Sequence, residues 1–204
     1  MVDKKKSKKS KIIITVVCIV GIILVAFIGL VISSGVKQNK VLKTGDEFYA
    51  KGEYDKAIEY YTIGIGETGT TKLALGLIKR GQAYLAKGDL DNAVIDFKDY
   101  LIRIPGSEEV VDLLMNIGIE YVRDENIDKA INVFSTIIES IMSVKIIDTP
   151  KKNVAYGYRG ECYYLKGEWE NAISDFTELL KTDVDNIYAK DYIEMAKEEL
   201  SNSM

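Results

Sequence analysis

The 204-residue chain has no histidine, two cysteines and two prolines. Without histidine, the commonest general base and the commonest metal ligand are both missing. Cys18 lies in an oily N-terminal stretch and Cys162 far away in the body, so the two do not pair and the fold does not rest on a disulfide. So few prolines argue against a long disordered tail. No activated nucleophile, phosphate loop or paired acid and base is legible. The expectation is a protein that is not an enzyme and carries neither cofactor nor metal.

The formal charge of −4 conceals an asymmetry. Residues 1–36 hold six lysines (Lys4, Lys5, Lys6, Lys8, Lys9 and Lys11) against Asp3, a net of +5. The other 168 residues hold 21 basic and 30 acidic side chains, a net of −9. An acidic body repels phosphate backbones, which excludes nucleic acid as a partner of the main domain.

The lysines, in a cytoplasmic segment 1–11, precede 21 uncharged residues, 12–32. As a helix these would span roughly 30 Å, the thickness of a bilayer's hydrocarbon core. The run is too long for a signal peptide's apolar region, and "VISSG" at 31–35 is a poor cleavage site. The reading is an uncleaved single-pass anchor over 12–33, in contact with the lipid bilayer, followed by a short linker at 34–37. By the positive-inside rule the N-terminus stays in the cytoplasm and the body lies on the outer side of the cell membrane. Gly21, Val25, Gly29 and Ser33 fall at steps of four, a face along which two such helices could form a weak homodimer.

The body repeats one phrase: "YAKGEYDKAIEYY" at 49–61 returns near 84, 121 and 163. Aligned on Gly45, Gly81, Gly118 and Gly160, the units are 36, 37 and 42 residues apart. Three positions later come Phe48, Tyr84, Tyr121 and Tyr163; twelve later, Ala57, Ala93, Ala130 and Ala172; sixteen later, Tyr61, Phe97, Phe134 and Phe176. A period in the thirties marks a stacked array in which each unit buries its face on the next. Small residues let two antiparallel helices cross closely, and the aromatics fill the spaces above and below the crossing. Gly52, Gly88 and Gly167 suit a left-handed helix end, a position that Glu125 takes in the third unit. Asp55, Asp91 and Asp128 fall in the first turn of each second helix, where the dipole favours carboxylates. Pro105 reads as a helix stop and Pro150 as a helix start.

These positions resemble the tetratricopeptide repeat family. The resemblance implies an all-α, TPR-like α-solenoid of four helix-turn-helix repeats, at about 38–71, 74–107, 111–144 and 153–184, within a domain spanning 38–201. The lengthened spacing before the last unit leaves "SVKIIDTPKK" at 143–152 as longer helices or a loop. "NIYAKDYIEMAKEEL" at 186–200 has the apolar spacing of a capping helix.

The resemblance also implies a concave groove lined by the first helices. Carried onto this chain, its lining is Leu42, Asp46 and Tyr49; Ile78, Gln82 and Leu85; Met115, Ile119 and Val122; and Gly157, Glu161 and Tyr164, about half of them accessible. One subfamily clamps a terminal carboxylate with lysine and asparagine at such positions, which this chain does not have. The expected partner is a protein or peptide with an apolar or amphipathic segment, with basic flanks as one form of it. Trp169 and Cys162 read as core and as inert packing. Three functions stay open: a membrane-anchored scaffold in envelope assembly or secretion, a chaperone-like or import-type receptor for many apolar segments, and a peptide sensor.

Overall fold

In every repeat a glycine meets the aromatic ring sixteen positions later. A Cβ built on Gly45 would lie 2.5 Å from the Tyr61 ring; the distances are 2.5 Å for Gly81 and Phe97, 2.7 Å for Gly118 and Phe134, and 3.0 Å for Gly160 and Phe176. The second aromatic therefore lies on the glycine itself, not above or below the crossing as the spacing suggested. Ala57, Ala93, Ala130 and Ala172 are fully buried in the same hairpins.

The computed structural model describes residues 40–66, 70–144 and 150–203, together with 19, 20, 22–24 and 26. Most of the expected anchor, the linker at 34–37 and the segment 145–149 lie outside the described residues. No helix among the described residues is long and apolar enough to cross a membrane. Residues 19, 20, 22–24 and 26 are helical and exposed, Ile22 to 69%.

The chain divides into two units, residues 1–69 and 70–204. The described hairpin of the first unit pairs α1 (residues 40–50) with α2 (Tyr54–Gly66). Gly64 repeats the close approach on the other side, where Leu42 Cδ2 would lie 2.6 Å from an added Cβ. The Tyr61 hydroxyl donates to Asp46 at 2.8 Å, and Phe48 stacks on Tyr60 with ring centres 5.3 Å apart.

The second unit is a stack of seven described helices: α3 (Thr70–Lys87), α4 (Leu90–Arg103), α5 (Glu108–Arg123), α6 (Ile127–Ser143), α7 (Pro150–Leu165), α8 (Trp169–Leu180) and α9 (Ile187–Asn202). Helices α3, α5 and α7 pair with α4, α6 and α8, and each pair packs on the next. Contacts of α5 with α7, of α7 with α9 and of α4 with α6 make two layers, with one apolar core running from Ile78 to Ala189. Pro150 opens α7, where its missing N–H costs no intrahelical bond. At the far end α9 covers the last hairpin: Tyr192 stacks on Phe176 at 4.9 Å and Tyr188 meets the same ring at 5.7 Å.

All four hairpin turns close alike. The N–H groups of Glu53, Asp89, Asn126 and Glu168 donate to the carbonyls of Phe48, Tyr84, Tyr121 and Tyr163, the bond of a Schellman helix end. The residue before each donor is left-handed: Gly52, Gly88 and Gly167 at φ of 75°, 84° and 75°, and Glu125 at 59°. For glutamate that conformation costs about 1 kcal/mol or more, because its Cβ crowds the next carbonyl. The third repeat keeps the turn because its bonds to Val122 and Tyr121 outweigh that strain.

The first-turn aspartates do more than complement helix dipoles. Asp91 accepts from Lys129 at 2.7 Å and from the Tyr121 hydroxyl at 2.6 Å, which lowers its pKa. Asp128 accepts from Lys166 at 2.7 Å. Both contacts tie a repeat to its successor. The Asp91 side chain is 60% exposed, so its ion pair with Lys129 is worth about 1 kcal/mol at most.

A buried ion pair occurs in two repeats and is not apparent in the repeat signature. Arg80 donates to both Asp96 oxygens at 2.7 and 2.8 Å, and Arg159 does so to Asp175 at 2.7 Å. Burial pushes both carboxyls above their usual range, against the pull of the arginines. The third repeat fills the equivalent positions with buried Ile117 and Val133. The fold therefore needs the volume there, not the charges.

Two stability measurements test this account. Glu125→Gly should raise stability by about 1 kcal/mol, and Gly88→Ala should lower it by a similar amount, each moving the thermal midpoint by about 2–4 °C. Arg159→Leu alone should cost about 3 kcal/mol by leaving Asp175 buried and unpaired. Arg159→Ile with Asp175→Val should restore most of that loss in urea unfolding, as in the third repeat.

Candidate functional site

Residues spaced three, four and three apart lie along one face of a helix. On α3 this stripe is Leu75, Ile78, Gln82 and Leu85; on α5, Asp112, Met115, Ile119 and Val122; on α7, Val154, Gly157, Glu161 and Tyr164. Leu85, Met115, Ile119, Val122 and Tyr164 are half-buried and pack against the core, leaving an apolar floor that is part covered and part open.

Polar contacts lace the stripe from helix to helix. The Gln82 amide donates to Glu109 at 3.1 Å, linking α3 to α5. Lys151 pairs with Asp112 at 2.6 Å, linking α5 to α7. The Tyr188 and Tyr192 hydroxyls donate to the two Glu161 oxygens at 3.1 and 3.3 Å, linking α7 to α9. These links hold the helices in register and leave the apolar positions between them.

Not every expected lining residue is open. Leu42, 3% exposed, is locked on Gly64, and Ile78, 7% exposed, belongs to the core. Gly157 is buried too. In the first unit Asp46 is half-buried under Tyr61, whereas Tyr49 is exposed and meets Tyr54 at 5.5 Å. Leu75, Asp112 and Val154 are exposed heads of the stripes that the sequence reading passed over. Their signal was there: each lies one helical step before Ile78, Met115 or Gly157. Leu165, at the opposite end of α7, is exposed as well.

A hollow of about 610 Å³ opens where α7 meets the end of α8 and the start of α9. Gly157, Glu161, Val154, Tyr158 and Asp183 are among its lining residues. Asn153 lies in the same wall; its amide nitrogen donates to Thr182 at 2.6 Å, and its buried Oδ1 has no hydrogen-bond partner.

Two segments, residues 42–108 and 158–183, match models of the tetratricopeptide repeat. Among solved structures, a TPR repeats protein from Bacteroides fragilis is 15% identical, with 78% of this chain covering 82% of that one at a TM-score of 0.55. The MamA protein is 21% identical over 80% of this chain and 82% of its own, with a TM-score of 0.49. The second TPR domain of human RPAP3, in complex with an HSP70 peptide, is 20% identical over 80% of this chain and 98% of its own, with a TM-score of 0.29. No curated protein matches. The described helices thus form an all-α array of the tetratricopeptide type.

Of two residues singled out in the sequence, Trp169 departs from its expected place and Cys162 keeps to it. Trp169, expected in the core, is half-buried at the start of α8 and packs edge-on to Tyr164 at 5.1 Å, at the end of the apolar floor. Its counterparts Leu90 and Ile127 are half-buried too, so the position flanks the core in the sister repeats as well. Cys162 is fully buried, and burial pushes its thiol up to about 12. Iodoacetamide at pH 8 should leave the Cys162 peptide unlabelled in the folded chain and label it in urea, read by mass spectrometry. Labelling of the native chain at a comparable rate would show that the hairpin opens.

Proposed function

We propose that this chain is a membrane-tethered interaction module that holds an apolar or amphipathic segment of a partner protein along the stripe of α3, α5 and α7. The observation that carries the reading is the apolar floor of Leu85, Met115, Ile119, Val122 and Tyr164 between polar links. An amphipathic helix or extended segment laid there would bury its own apolar face and meet the links with its polar edge. Leu75 and Val154 at one end, with Leu165 at the other, lengthen the surface offered to it.

The tether is residues 12–33, with the lysines before it on the cytoplasmic side and the repeats on the outer side. What supports it is the uncharged run in the sequence and the exposure of Ile19, Val20, Ile22, Ile23 and Leu24 on helical backbone. A water-soluble helix would turn such residues inward. Between residue 33 and the helical backbone at residue 40 there is little chain, so the partner is held close to the bilayer. That position suits a scaffold in envelope assembly or secretion. A receptor for many apolar segments would use the same floor, with Met115 adapting its shape to each.

Crosslinking in membranes of the native host, followed by mass spectrometry, tests both parts. The chain should stay in the membrane after an alkaline carbonate wash and give one or two dominant adducts. Met115→Glu with Ile119→Lys should remove those adducts without unfolding the array. A heterogeneous ladder of adducts would favour the receptor, and an unchanged adduct list would sink the stripe as the binding surface.

A further inference from the structure

The fourth repeat departs from the stripe at one position and carries an acid at the next. Where the other repeats place Leu42, Ile78 and Met115, it has Gly157; where they place Asp46, Gln82 and Ile119, it has Glu161. Packing does not demand this glycine. A Cβ there would meet only Leu179 Cδ1, at an ordinary 3.5 Å, unlike the close glycines of the hairpin crossings. The missing side chain leaves the hollow of about 610 Å³.

The wall chemistry selects one kind of guest. Val154, Tyr158 and Leu179 supply apolar and aromatic sides, while Glu161 and Asp183 supply carboxylates. No lysine or arginine is among the described residues that line it. Glu161 is held in place by the two tyrosine hydroxyls of α9, so its carboxylate is fixed before any guest arrives. An apolar stem ending in a cation fits that combination: the stem lies against Val154 and Leu179, and the cation meets Glu161. The net −9 of the repeat-bearing region adds a long-range attraction for such a guest.

We propose that this hollow is a side-chain pocket for an arginine or lysine of the segment held along the stripe. It rests on the stripe reading for the source of the cation, and it gives that segment a polarity: its basic residue lies at the α7–α9 end. The acidic Glu161 sits at the foot of an otherwise apolar floor, so the cation fixes register while the floor supplies area.

The test uses the full chain in detergent micelles, with n-butylguanidinium as the probe and n-butylurea as its neutral counterpart. Amide resonances of Gly157, Glu161 and Tyr188 should shift saturably with the guanidinium and about tenfold more weakly with the urea, as expected for a charge-assisted contact. Gly157→Leu, which fills the hollow, and Glu161→Gln, which removes the charge without filling it, should both abolish the preference while the helical signal is retained. Equal binding of the two probes, or none, would overturn the pocket whatever the stripe does. In the crosslinking assay, Gly157→Leu should also reduce the dominant adduct at least severalfold. Guanidinium binding with an undiminished adduct would mean that a free small amine, not a partner's side chain, is the guest, and would overturn the assignment. Failure of the stripe itself would appear separately, as adducts that survive Met115→Glu with Ile119→Lys.

Discussion

The contact between a bare glycine and an aromatic ring sixteen residues later sets the geometry of everything else. It brings the helices of each hairpin so close that a methyl group on Gly81 would lie 2.5 Å from Phe97. Close-packed interiors admit no such overlap, so the spacing of the helices is fixed by one hydrogen atom per repeat. The Schellman turn then fixes where the second helix starts, because its bond always falls on the carbonyl of the aromatic three residues after the glycine. Two local devices determine the hairpin; stacking determines the rest.

Around that invariant frame the repeats differ where the frame does not constrain them. Arg80–Asp96 and Arg159–Asp175 fill a space that Ile117 and Val133 fill in the third repeat. Burial lifts both aspartates despite the pull of the arginines, so the ion pair carries a desolvation cost that Ile117 and Val133 avoid. The same tolerance applies to Glu125, whose strained backbone survives because the turn is over-determined by its bonds. A repeat protein adds nearest-neighbour terms, and a local cost of this size in one unit is carried by its neighbours.

The candidate site shows the same freedom at the surface. Half-buried residues such as Met115 and Tyr164 serve the core with one side and the open stripe with the other. The links Gln82–Glu109, Lys151–Asp112 and Glu161 with Tyr188 cost little and keep the floor flat between consecutive helices. At the end of the array the floor gives way to the hollow, where the fourth repeat lacks a side chain at Gly157 and has α9 rather than another repeat as its neighbour. The capping helix thus both closes the core and shapes one wall of a hollow.

By itself the sequence determined the repeat: the glycine, alanine and aromatic positions, the turns, the role of Pro150 and the helical end cap all follow from local rules of size and backbone conformation. Its periodicity also picked out one shared face of the first helices, but the core takes Leu42 and Ile78 from that face, and the exposed Leu75 and Val154 were passed over. Periodicity tells which residues share a face but not how far a neighbouring helix covers that face. Only the tertiary structure decided the buried arginine–aspartate pairs, the second task of Asp91 and Asp128, and the contact of Trp169 with Tyr164. Each of these depends on residues 5 to 38 positions apart meeting across a hairpin or between stacked repeats. A repeat signature averages such pairs away, because the partners change from one repeat to the next while the frame stays the same.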